Sequence, residues 1–153
     1  MQDFQEHGID DVHSFGPWLV HDGQVNTEKA MRASGIFKEN NPRTGIGMIE
    51  PGHLVIIVVD GRQKDRSIGL DLMEFAGLFV KEGCTEAYNL DGGVSSAMVF
   101  MGEQLNTHMN IRDFSQQRSF PDGLMWGYTE LCPTVDDPIY NKGIRTDAAA
   151  TRH

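Results

Sequence analysis

Leu54-Val55-Ile56-Ile57-Val58-Val59-Asp60-Gly61-Arg62 is an unbroken aliphatic run that ends on an acid, a glycine and a base. Apolar residues at every position, without polar alternation, are the pattern of a strand buried on both faces. The segment is therefore expected at the centre of a sheet.

Immediately before it, Glu50-Pro51-Gly52-His53 places Pro and Gly where a type II turn wants them. Arg43-Thr44-Gly45-Ile46-Gly47-Met48-Ile49 then folds back as an antiparallel partner. If Glu50 pairs with His53, Arg43 stands opposite Asp60. Alternation puts Asn41, Arg43, Asp60 and Arg62 on one face and Val55, Ile57, Val59, Ile46 and Met48 on the other.

Downstream, Leu72, Phe75, Ala76 and Phe79 recur at helical spacing, with Met73 and Val80 widening the stripe, and predict a helix over residues 70–82. Asp71 and Glu74 suit its first turn, Lys81 its last, and Gly83 a left-handed stop. A second apolar run over 85–90 leads into Asp91-Gly92-Gly93-Val94-Ser95-Ser96. Strand 54–60, helix 70–82 and strand 85–90 read as a β-α-β crossover with two parallel strands. The expected class is α+β: a mixed sheet with that crossover, flanked by antiparallel hairpins. Parallel strands end on one edge, so Asp60-Gly61-Arg62 and Asp91-Gly92-Gly93 are expected to emerge side by side, where open sheets place their ligands.

The rest of the chain is less patterned. Residues 1–28 carry six acids and neither Lys nor Arg. Within them Phe15-Gly16-Pro17-Trp18-Leu19-Val20 and His21-Asp22-Gly23-Gln24-Val25 read as a short strand and a hairpin-like turn, with Pro17 at an edge or at the strand's first residues. Lys29–Asn41 reads as a loop or short helix. Ala97–Phe100 and Gln104–Asn106 form a hairpin around Met101-Gly102-Glu103, and Leu124–Thr129 reads as a last strand. Residues 133–153 read as a surface tail of a single domain spanning 1–153.

The net charge of −9 and pI of about 5.0 exclude a broad nucleic-acid or anionic-membrane surface. No apolar run reaches the ~18 residues of a membrane-spanning helix, and Met1-Gln2-Asp3 does not open a signal peptide. Cys84 and Cys132 allow at most one internal disulfide and, without a nearby His, no zinc site.

Arg43, Arg62 and Arg118, Asp60 and Asp91, and the Gly92–Ser96 loop can converge on one sheet edge. That set suits a phosphate: arginine offers a planar fork, and backbone N–H groups and serine hydroxyls fill the remaining lone pairs. The plainer alternative is a cross-strand Arg43–Asp60 salt bridge beside a tight Asp-Gly-Gly turn. Asp60 and Asp91 together could also hold Mg²⁺ or Ca²⁺ through oxygen. No other cofactor is called for, and the six histidines share no short spacing.

Six stretches occur in one order: Phe15–Val20 with Asp22-Gly23, Asn41–Gly47, Asp60-Gly61-Arg62, Gly69–Ala76, Asn89–Ser96 and Arg118–Gly123. Taken together, over roughly residues 15 to 130, they resemble the motifs of the phosphodiester glycosidase family. The resemblance implies a chain matching the C-terminal part of a fuller domain, lacking the family's N-terminal region, with Asp-Gly-Gly-Val-Ser where the family usually reads Asp-Gly-Gly-Gly-Ser. It implies hydrolysis of a glycosyl phosphodiester at the anomeric carbon, a phosphorylated sugar or glycan as partner, an extracytoplasmic or secreted setting, and room for a homo-oligomer. Arg43, Thr44, Arg62, Gly92, Gly93, Ser95, Ser96 and Arg118 would then bind substrate, with Asp91, or else Asp60, as base or nucleophile. The competing class is a sugar-phosphate-binding module or a structural domain of a larger surface or phage protein.

Overall fold

In the computed structural model, which describes residues 13–27, 38–107 and 123–126, the apolar stripe becomes helix α1, Leu72–Lys81. Asp71 caps it reciprocally: its carboxylate accepts from Glu74 N–H at 2.8 Å, and Glu74 Oε2 accepts from Asp71 N–H at 3.1 Å. Gly83, at φ +84°, ends it after the cap residue Glu82. Leu72, Phe75, Ala76 and Phe79 are fully buried, and the two rings meet edge to face with centroids 5.3 Å apart. Burial of each large side chain is worth roughly 1.5–3 kcal/mol.

The helix packs on a five-stranded sheet made of β1 (Trp18–His21), β2 (Gln24–Val25), β3 (Arg43–Glu50), β4 (His53–Val59) and β5 (Glu86–Asn89). A separate hairpin comprises β6 (Val99–Phe100) and β7 (Glu103–Gln104). All these elements lie in one compact unit, Phe15–Phe120; Met1–Ser14 and Pro121–His153 fall in a second. Leu124–Trp126 are not in a strand. Residues 29–37, the loop over 111–117, Arg118, Cys132 and the tail lie outside the described residues. Cys84 is a buried free thiol, and burial, with Glu82 nearby, pushes its pKa up.

The α+β class is as expected, but the sheet order corrects the crossover. The order is β2-β1-β5-β3-β4, with every hydrogen-bonded pair antiparallel. β4 and β5 do run the same way, since each is antiparallel to β3, yet β3 lies between them. Like β1 and β5, β3 has neighbours on both sides, and among the described residues β4 does not. The reason is steric. On the helix side β3 carries Gly45 and Gly47, where a Cβ would fall 2.9 Å from Phe75 Cε1 and 2.6 Å from Phe79 Cδ1. Only a bare strand lets the two rings settle on it. β4 closes the sheet among the described residues, with Val55, Ile57 and Val59 against the core. Its unbroken apolar run reflects a second apolar face, not a central position: Leu54 joins Trp18, Ile46, Met48 and Tyr88 in a shallow groove on the sheet's other side.

The register also differs by one residue. Glu50 pairs with His53, but a bulge at Ile49 then sets Met48 opposite Leu54, Gly45 opposite Ile57 and Arg43 opposite Val59. A one-residue shift exchanges faces. Arg43 therefore lies on the helix side with Val55, Ile57 and Val59, while Ile46 and Met48 lie on the other, and no Arg43–Asp60 pair forms. A second bulge, between Trp18 and Val20, accompanies the burial of two consecutive residues, Leu19 and Val20.

At the end of β5 opposite Asp91, Glu86 clasps β1. It accepts from Trp18 Nε1 at 2.8 Å and from Asp22 N–H at 3.3 Å, and bonds His21 Nδ1 at 3.0 Å. Burial works to raise its pKa, but these bonds and the imidazole outweigh it and hold the carboxyl below its ordinary 4.5.

Two outcomes are expected. Gly47→Ala should destabilise the fold by about 1–3 kcal/mol in urea unfolding, because the new methyl meets Phe79 and Cys84 together. Glu86 has a depressed folded pKa, so its stabilisation is complete above its unfolded value and disappears as pH falls through the folded one. Glu86→Gln should therefore lower Tm at neutral pH and flatten the fall in Tm below about pH 4.5.

Candidate functional site

The site is built around the Asn41–Pro42 peptide, just ahead of β3. Three glycines press on it. A Cβ on Gly61 would lie 2.5 Å from Pro42 N, one on Gly92 would lie 2.8 Å from Pro42 O, and one on Gly69 would overlap the Asn41 backbone. Pro42 O accepts Gly93 N–H at 2.9 Å, Thr44 O accepts Leu90 N–H at 2.9 Å, and Asn41 exchanges both backbone hydrogen bonds with Leu70. Loops 60–62 and 90–93 thus close on the same peptide from two sides, as the shared-edge expectation required, although β3 intervenes.

Arg62 takes φ +60°, a left-handed conformation that costs a side-chain-bearing residue about 1–3 kcal/mol. Its Nε and Nη2 donate to Asn41 Oδ1 at 3.0 and 2.8 Å, and its N–H reaches Ile68 O at 3.2 Å. The guanidinium lies over Gly93, where a Cβ would be 3.3 Å from Nη2 and 3.4 Å from Nη1. No carboxylate among the described residues pairs with Arg62.

Arg43 does different work. It is 6% exposed, and its Nε and Nη2 donate to the carbonyls of Leu70 at 3.0 Å and Glu39 at 2.8 Å. Burial lowers its pKa, Asp71 opposes that, and the Arg62 charge adds to it. The two guanidiniums therefore share one electrostatic neighbourhood.

Asp60 turns away from Arg43. Its Oδ1 accepts Thr107 N–H at 3.0 Å, its Oδ2 faces Arg66 Nη2 at 3.4 Å, and its backbone carbonyl accepts from Ser67 Oγ. Arg66 and Gln63 also reach Thr107 through its hydroxyl and carbonyl. Asp60 is a loop clamp here, and the adjacent guanidinium opposes a cation between Asp60 and Asp91. The group with metal-ligand proximity among the described residues is His21, Asp22 and Glu86, at the other end of β5.

After Leu90 the chain exposes Asp91 and makes a single 3-10 turn, Gly93–Ser95, with Gly93 at φ +62°. The left-handed position falls on Gly93, so Val94 is accommodated without strain. Ser96 is 2% exposed, and its Oγ, like Thr44 Oγ1, has no hydrogen-bond partner among the described residues. Asn106 pins the far side of the loop, donating to Ser96 O at 2.8 Å and accepting Met98 N–H at 2.7 Å. Asn41, Asn106 and Thr107 were missed in the sequence. Asn41 opens the Asn41–Gly47 stretch, but its spacing assigns it no role, and nothing in the sequence marks Asn106 or Thr107. Arg118 lies outside the described residues.

A model of the phosphodiester glycosidase family matches residues 1–126. The SPbeta prophage-derived uncharacterized protein YomE of Bacillus subtilis (strain 168) is 37% identical over 123 residues, which is 80% of this chain and 18% of that protein. The bovine N-acetylglucosamine-1-phosphodiester alpha-N-acetylglucosaminidase is 31% identical over 96 residues, 56% of this chain and 18% of that protein. The zebrafish enzyme of the same name, whose catalytic domain is auto-inhibited by its pro-peptide, superposes with a TM-score of 0.55 at 22% identity over 67% of this chain and 37% of that one. The chain thus spans less than a fifth of the length of the curated relatives. No helix among the described residues is long and apolar enough to cross a membrane.

Removing the Asp60 carboxylate should release Thr107. In Asp60→Ala, hydrogen exchange at the Thr107 amide should accelerate by roughly tenfold or more, the loss of one bond to a charged acceptor, while the α1 amides keep their protection.

Proposed function

The chain belongs to the phosphodiester glycosidase family, and from that membership we propose that it hydrolyses a glycosyl phosphodiester, sugar–O–PO₂–O–R, at the anomeric carbon. The sugar is an N-acetylglucosamine-type residue, by likeness to the bovine relative. The observation that carries this reading is Arg62: a charge on a left-handed backbone, steered by a neutral amide over the Gly92–Gly93 turn, with no carboxylate paired to it among the described residues. Such a group suits an anion brought from outside.

In this mechanism the leaving group is a phosphate monoester with a second pKa of ~6, which needs far less proton donation than a sugar alkoxide. Arg62 stabilises the charge growing on the departing phosphate, and Arg43, from below, adds to the local positive field. Asp91, exposed at the mouth, acts as the base for water or as the nucleophile at the oxocarbenium-like carbon. Asp60 keeps the loop in place. A second reading, sugar-phosphate binding without turnover, is favoured by that same clamp, because glycoside hydrolysis ordinarily uses two carboxylates and Asp60 is held by Thr107 and Arg66.

Calorimetry and a turnover assay with an N-acetylglucosamine-1-phosphodiester separate the readings. Arg62→Lys should lower kcat/KM by about 10- to 100-fold, since a point charge does not replace a planar fork. Asp91→Asn should lose about a thousandfold in turnover while binding as well or better. Binding by the wild type without turnover would favour the second reading, and loss of binding in Asp91→Asn would remove Asp91 from the chemistry.

A further inference from the structure

We propose that Asn41 is a positioning residue for anion recognition: its neutral amide oxygen aims the Arg62 guanidinium without cancelling the charge. The inference rests on the anion-binding reading of Arg62 and adds a residue that reading does not require.

Asn41 is 7% exposed and held on every side. Its backbone N–H and carbonyl pair with Leu70, and Gly61 and Gly69 pack directly on its main chain. Its Nδ2 donates to Glu39 O at 3.1 Å, and that bond decides which end of the amide faces Arg62: the oxygen. That oxygen takes the side edge of the guanidinium, Nε and Nη2 together. The other edge, formed by Nη1 and the second N–H of Nη2, makes no hydrogen bond to a described residue and lies over Gly93. A guanidinium has two edges able to grip an oxyanion with paired bonds. Asn41 uses one to set the plane and leaves the other open.

The choice of an amide has a consequence of its own. A carboxylate at this position would hold the same edge as firmly, but it would place a negative charge within ion-pair distance of Arg62 and oppose an incoming anion. Asparagine supplies the geometry without the charge. Asp60 shows the contrast in the same loop: where the chain needs a clamp, it uses a carboxylate on Arg66.

The test is titration of the whole chain with an N-acetylglucosamine-1-phosphodiester and, separately, with inorganic phosphate, alongside melting curves. The wild type should bind, and Arg62→Ala should lose that binding. Asn41→Asp, nearly isosteric, should keep its Tm within a few degrees yet bind about tenfold more weakly or worse. Asn41→Ala, which frees the guanidinium but leaves its charge, should bind about threefold more weakly. The order wild type, Ala, Asp in affinity is the decisive readout when it is read on variants that keep their Tm, because Asp also gives up the Nδ2 bond to Glu39 O and a loss that is merely structural would show in the melting curve. Should Asn41→Asp fail to fold, the ¹⁵N shift and exchange of Arg62 Nε–H take its place. In the wild type that proton should be protected before ligand is added, and anion should perturb the Nη signals more than Nε. Asn41→Asp binding within twofold of the wild type, or Arg62 Nε–H exchanging freely, would overturn the inference while leaving the anion site standing. Absence of binding by the wild type would overturn both.

Discussion

The contact on which the rest depends is backbone against backbone at Asn41–Pro42. Gly61, Gly69 and Gly92, from three separate segments, approach this peptide more closely than any Cβ would permit. Van der Waals contact at that range, reinforced by the Gly93–Pro42 and Asn41–Leu70 hydrogen bonds, fixes the spacing of the loops within narrow limits. Side-chain positions in the site follow from it. Arg62 rests on Asn41, Arg43 reaches the carbonyls of Leu70 and Glu39, and Gly93 lies beneath the Arg62 plane.

A similar logic governs the core. β3 gives up side chains at Gly45 and Gly47 so that Phe75 and Phe79 can sit on it, and Ala87 of β5 and Cys84 ahead of it join the same buried cluster. The apolar bulk comes from the helix, the access from the strand. Because β3 is gripped by β4 and β5 as well as by the helix, its first residues are among the best supported in the chain, and the site is built directly on them.

The charges divide the labour. Arg43 donates to the carbonyls of Leu70 and Glu39 and shares an electrostatic neighbourhood with Arg62. Arg62 is spent on one amide oxygen and keeps an edge open. Asp60 answers Arg66 and ties the loop to Thr107, while Asp91 is an exposed residue just after Leu90. Two arginines and two aspartates thus end in four different settings, decided by packing and not by composition.

Much of this was legible in the sequence, wherever a property is local. The Phe75–Phe79 stripe, the Asp71/Glu74 cap, the Gly83 stop and the Pro51-Gly52 turn depend on residues a few positions apart, and so does the termination of β4 and β5 at Asp-Gly. The ordered motifs also carried the family. What the tertiary structure decided was non-local. An apolar run such as Leu54–Val59 records that both faces avoid water, not which strand lies beside it, so β3 could be found between β4 and β5 only in three dimensions. A single bulged residue, Ile49, moved Arg43 to the other face of the sheet and cancelled its pairing with Asp60, because strand side chains alternate with a period of two and one inserted residue inverts everything beyond it. The partner of Arg62 was likewise undecidable along the chain: Asn41 lies 21 residues away, and only the packing of Gly61 and Gly69 on its backbone brings its amide into reach.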